Sequence, residues 1–153
     1  MKKSILLISL CFMAFVSFSQ IQNVFEISKD ENKFVYQDKF IKLFMGDEIF
    51  IRVTSSNDTL KNFEIVTDNE DKENTISISF TIEKYKGEKI SVLKVKNPFE
   101  KELHYKALIS TLQRPNYEET SIVPVYPEIS SQEMWPYKIE SIILHDFQLK
   151  QNP

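Results

Sequence analysis

The chain reads as one all-β domain, an immunoglobulin-like antiparallel β-sandwich of about eight strands behind a cleaved N-terminal leader. Three observations predict this. Thr75-Ile76-Ser77-Ile78-Ser79-Phe80-Thr81-Ile82 alternates apolar and hydroxyl residues with a strict period of two, which makes a strand with one wet face. Turn-forming residues recur every eight to twelve positions, the spacing of short strands in a sandwich or barrel. No stretch carries an apolar helical period over three turns, so nothing supplies the crossover helices of a parallel sheet.

The leader comes first. Met1-Lys2-Lys3 precedes an apolar run from Ile5 to Phe18, which ends in Ser17-Phe18-Ser19, the three-part pattern of a secretory signal peptide. As a helix, a run of about 14 residues rises about 21 Å, short of the ~30 Å hydrocarbon core of a bilayer. Residues 1–19 are therefore expected to be a removed signal peptide, residues 20–153 a single sandwich domain, and the mature chain to have no transmembrane span. Cys11 follows Leu10 inside the apolar run, where a lipid-attachment cysteine does not occur, and it leaves with the leader. The domain then has no thiol or disulfide, and its stability must come from its core.

The strands follow in order. Lys39–Phe44 and Glu48–Thr54 flank a turn at Gly46-Asp47, and Ser56-Asn57-Asp58 precedes Leu60–Val66. Phe80–Tyr85 and Lys89–Val95 flank Lys86-Gly87, where a residue of positive φ suits a tight reversal. Asn97-Pro98 begins another turn. Alternation resumes in Leu103-Tyr105-Ala107-Ile109, and Ile139–Leu149 is rich enough in apolar residues to be a strand. Between Pro115 and Pro136 stand four prolines and no long alternation. This stretch is expected to cross an end or edge of the sandwich, with a single helical turn capped over Ser130–Glu133.

Charge limits the partners. The formal charge is −3, and loss of Lys2 and Lys3 takes it to −5. Lysines and glutamates are interspersed rather than blocked, so nucleic acid is not an expected partner. Gly46 and Gly87 are the only glycines and build no phosphate cradle.

Val95-Lys96-Asn97-Pro98-Phe99, Leu103-His104-Tyr105-Lys106-Ala107, Val123-Pro124-Val125-Tyr126-Pro127 and Glu133-Met134-Trp135-Pro136 together resemble small exported proteins of Bacteroidota with immunoglobulin-like β-sandwiches. The likeness covers roughly residues 90–149 and implies the fold and an exported location, not a chemistry. From the same source, Asp58-Thr59-Leu60 resembles the O-glycosylation acceptor motif of such proteins, which makes Thr59 a candidate modification site.

Candidate chemistry is sparse. His104 and His145, on two predicted strands, would hold zinc or copper with Glu102 or Asp146 if the strands were neighbours, but neither has a second ligand at the i+2 or i+4 spacing of recognisable sites. Met45 and Met134 stand apart from them and from each other. Asp68-Asn69-Glu70-Asp71-Lys72-Glu73-Asn74 lacks the central glycine and ligand spacing of a calcium loop and reads as a solvated hairpin. There is no Gly-x-Ser-x-Gly elbow, and carboxylates such as Glu118-Glu119 and Glu133 form no distinctive pair.

The best working surface is the irregular segment itself, where Tyr117, Tyr126, Trp135 and Tyr137 lie among prolines. Aromatic side chains on rigid loops make contact surfaces, whereas Trp135 in particular also suits a plug for an open end of the sandwich. The expectation is a periplasmic, cell-surface or secreted interaction module, without catalysis or cofactor, that contacts an envelope protein or glycan through this segment. The alternatives are a structural subunit pairing through strand edges and a metal-binding protein using His104 and His145.

Overall fold

A computed structural model describes residues 35–37, 40–56 and 59–151, with the backbone alone at 35–37, 55, 56 and 59. The leader expected at residues 1–19 lies outside them. In chain order the strands are β1 (Val35–Gln37), β2 (Phe40–Phe44), β3 (Glu48–Ser56), β4 (Thr59–Val66), β5 (Thr75–Tyr85), β6 (Glu88–Lys96), β7 (Glu102–Ser110), β8 (Glu118–Thr120), β9 (Ser130–Trp135) and β10 (Ser141–Lys150). No helix occurs among the described residues.

Two five-stranded sheets form, in the orders β1-β2-β10-β7-β8 and β4-β3-β5-β6-β9, and every neighbouring pair is antiparallel. The architecture is the all-β antiparallel sandwich that the alternation predicts. Ile76, Ile78 and Phe80 of β5 are buried while Ser77, Ser79 and Thr81 are only partly covered. From the other sheet Ile41, Leu43, Leu103, Ala107, Ile142 and Leu144 enter the same core. Each large side chain so buried contributes about 1.5–3 kcal/mol relative to exposure, which makes a core without disulfides sufficient.

Gly46 makes the corner between the sheets. It takes φ +99°, open to glycine and strained for other residues, and its N–H donates to the Phe80 carbonyl across the sandwich at 2.8 Å. Asp47 completes the corner by accepting from the Phe44 N–H at 2.7 Å and, through its carbonyl, from the Phe80 N–H at 2.9 Å.

In β10 the alternation breaks and restarts. Ile142 and Leu144 face the core, Asp146 takes φ +55°, and the register slips between His145 and Gln148. The bulge turns Phe147 and Leu149 inward, and Phe147 packs against Phe63 and Tyr105 at ring separations of 5.8 and 5.6 Å.

The segment Ser130–Glu133 corrects the expectation of a helical turn: it belongs to β9. Its backbone pairs with β6 from Ser91↔Trp135 to Lys96↔Ser130. The open edge of β6 imposes extended structure on residues whose own helix-capping preference is worth only about 1 kcal/mol.

Candidate binding site

Two polar side chains, Ser91 on β6 and Asn97 just past its end, position the irregular segment. Asn97, fully buried, donates from Nδ2 to the carbonyls of Lys101 (2.7 Å), Val125 (2.9 Å) and Tyr126 (3.1 Å), and its Oδ1 accepts from the Phe99 N–H (3.0 Å). Six residues back, buried Ser91 donates from Oγ to the Tyr137 carbonyl and accepts from the Ile139 N–H, both at 2.9 Å. At about 3.3 Å per residue the two anchors stand about 20 Å apart. One fastens the segment at each end of the sandwich.

This separation divides the four aromatic candidates. Tyr126 is at the Asn97 end, 51% exposed, beside the isolated bridge between Leu103 and Val125. Tyr117, Trp135 and Tyr137 are at the Ser91 end and face three different ways. Trp135 points into the core, 8% exposed, and its Nε1–H reaches the Thr120 hydroxyl at 3.2 Å. Tyr117 lies on the outer face of the first sheet, its hydroxyl 2.7 Å from Ser141 Oγ and its ring 5.8 Å from the Lys42 ammonium. Burial raises the Tyr117 phenol above its ordinary pKa, with the Ser141 hydrogen bond opposing, and burial lowers that of Lys42. Tyr137 projects at the rim, 46% exposed.

Beside Tyr137 opens a groove of about 420 Å³, lined by Ile109, Thr111, Leu112, Gln113, Arg114, Glu118, Tyr137 and Lys138. One wall is a four-residue turn, closed by Thr111 and Arg114 through two reciprocal backbone hydrogen bonds of 3.0 and 3.1 Å, with the Thr111 hydroxyl accepting from the Arg114 N–H as well. Leu112 sits at the tip, 78% exposed, where Asn, Asp, Gly or Ser would ordinarily be found. Functional and strained positions are where such local rules are broken. Arg114 and Glu118 form an ion pair at 3.0 Å, and Lys138 pairs with Glu140 at 2.7 Å. Such exposed pairs add about 0–1 kcal/mol to stability, and the first sets the Arg114 guanidinium against the Glu118 carboxylate along the groove. The groove thus offers apolar lips, Leu112 and Tyr137, and a rim of oriented donors and acceptors.

No family model, curated protein or solved structure matches this chain.

The other candidate positions lie elsewhere. His104 and His145 both project from the outer face of the first sheet, but His145 is opposite Lys106 and His104 opposite Gln148. His104 Nε2 is 3.0 Å from Glu102 Oε2, and His145 Nδ1 is 3.4 Å from Asp146 Oδ2, its ring stacked on Phe40 at 5.3 Å. Lys106 reaches Asp146 at 3.1 Å, so a fixed cation already stands where a shared metal would compete. Among the described residues no three His, Cys, Asp or Glu side chains are arranged to hold a metal. Likewise no helix of the described residues is long and apolar enough to cross a membrane. Thr59 opens β4 opposite Ser56, while its side chain and Asp58 lie outside the described residues.

Of the groove residues, the sequence points to Tyr137 as a contact residue and not to Leu112 or Arg114. Leu112 in a tight turn is the available signal; Asn97 is legible as the start of a turn but not as an anchor, and Ser91 carries no signal beyond being a polar residue on an otherwise apolar face of β6.

Proposed function

We propose that this is an exported, non-catalytic interaction module of the cell envelope that takes its partner in the groove between the Thr111–Arg114 turn and Tyr137. The carrying observation is the pairing of two exposed apolar side chains, Leu112 and Tyr137, across a groove with an oriented Arg114–Glu118 rim. Tyrosine and arginine on rigid supports are the residues that dominate binding energy at interfaces. Arg114 and Lys138 are each engaged with a carboxylate. The N-terminal pattern from Met1 to Ser19 supports export, to the periplasm or the cell surface.

Affinity capture from envelope extract tests this reading. The wild-type chain is expected to retain a protein or glycan that Tyr137→Ala and Leu112→Ser lose, both variants melting within a degree or two of wild type. Equal retention by the variants overturns the groove as the contact site.

A second reading, assembly through a strand edge, is favoured by β9. Among the described residues it pairs with β6 on one side only, and it runs six residues without a register shift, with Met134 exposed. Light scattering that finds a monomer at every concentration removes it.

A further inference from the structure

The hairpin of β5 and β6 extends past its sheet. β3 pairs with β5 only as far as Ser79, and β9 pairs with β6 only as far as Ser91, so among the described residues the pairs Glu83↔Ile90, Lys84↔Lys89 and Tyr85↔Glu88 have no flanking strand. A two-stranded ribbon is marginal on its own in water, and this one adds little to the core.

Two local rules are broken at its tip, and both place a cation there. Lys84 and Lys89 stand directly opposite each other, a like-charge pairing that weakens a sheet. Lys86 and Gly87 form the two-residue turn, with φ +51° and +88°. That reversal favours Asn, Asp or Gly at its first position, and a lysine there is strained. Among the described residues none of the three lysines has an ion-pair partner: Glu83 is taken by Lys94 at 2.6 Å, and Glu88, opposite Tyr85, is the other carboxylate of the tip. Tyr85 lies among them, 55% exposed, with the Lys86 ammonium 5.3 Å from its ring. The chain as a whole is negative, whereas residues 84–89 carry three lysines against Glu88, a net charge of +2.

We infer that this tip docks on an anionic phospholipid surface. Projecting past the last pairings of β3 and β9, the tip suits a flat array of charges rather than one small anion. Lysines beside a tyrosine, with an apolar body and polar end, are the composition that sits at a bilayer interface. Near an anionic leaflet each lysine strengthens binding roughly fivefold, and the net negative charge of the remainder orients the molecule tip-first.

The test is co-sedimentation of the chain from Gln20 onward, which contains every strand and core residue described above. Vesicles of phosphatidylcholine with about one-third phosphatidylglycerol are compared with phosphatidylcholine alone. The expected result is binding to the anionic vesicles only, weakened at least tenfold by Lys84→Gln/Lys86→Gln/Lys89→Gln and abolished near 1 M salt, where the Debye length is about 3 Å. The control Lys61→Gln/Lys72→Gln/Lys150→Gln removes the same charge from exposed positions elsewhere and is expected to bind as wild type. Absence of binding, equal loss in the control, or binding to heparin without binding to vesicles each overturns the inference.

Discussion

The Asn97 Nδ2 group lies 2.9 Å from the Val125 carbonyl oxygen, and through that contact the residue that follows β6 holds a segment 28 residues further along the chain. Asn97 also ties down Lys101, Tyr126 and Phe99, so one side chain closes both the turn it begins and the loop that packs over it. Asn97→Ala would leave buried backbone groups without partners. It is expected to lower the unfolding free energy by about 2–4 kcal/mol, read as a lower urea midpoint at unchanged slope.

Ser91 does the same at the opposite end, on a smaller scale. Ser91→Ala is expected to cost about 1–3 kcal/mol, because the Tyr137 carbonyl and Ile139 N–H lose their partner. Since the hydroxyl anchors the backbone of Tyr137, capture of the partner weakens too. Tyr137→Ala, by contrast, is expected to weaken capture with little change in stability.

Trp135 belongs to the core. Trp135→Ala is expected to cost about 3–5 kcal/mol by opening a cavity. Trp135→Phe keeps most of the volume, loses the bond to Thr120 and costs less. Thermal melts of the two variants separate a packing role from a contact role, which a binding loss in Trp135→Ala alone would confound.

Tyr105 makes stability fall at alkaline pH. Burial raises its hydroxyl well above the ordinary 10.0, and the Glu133 charge adds to the effect; Ser131 lies near but gives the hydroxyl no well-formed hydrogen bond. The folded pKa is above the unfolded one, so the contribution is complete below pH 10.0 and is lost above it, at up to ~1.4 kcal/mol per pH unit. Tyr117 acts in the same direction, while Lys42, lowered by burial, opposes both as pH rises towards its unfolded value of 10.5. Tyr105→Phe is expected to be neutral or slightly stabilising near pH 7, because it removes a buried hydroxyl without a partner, and to flatten the alkaline decline of the melting temperature.

Lys86 in the β5–β6 turn carries the opposite expectation from most substitutions. Lys86→Asn or Lys86→Gly is expected to raise stability by about 0.5–1 kcal/mol in urea unfolding, by relieving a lysine at φ +51°.

The alternation over Thr75–Ile82 and the turns at Gly46-Asp47 and Lys86-Gly87 were legible in sequence because they are local: a period of two and a residue able to take positive φ need no partner to be recognised. The strand nature of Ser130–Trp135 was not, since it exists only because β6 offers an edge. The site was legible in part for the same reason. Tyr137 is conspicuous as an aromatic between proline and lysine, whereas its division from Tyr126 follows from two anchors about 20 Å apart on a strand, a distance that only the paired register reveals. Trp135 and Tyr117 carry the same composition signal as Tyr137 and are turned away from the groove by the pairing of β9 and by the bond to Ser141.

Site-specific photo-crosslinking in the producing cell tests the central claim most directly, with the crosslinking side chain placed at Leu112, Tyr137 or Tyr126 in turn. The groove account predicts one discrete adduct, shared by positions 112 and 137 and absent at 126. An adduct from position 126 alone, or none at 112 and 137 in a chain that still folds and is exported, would contradict it.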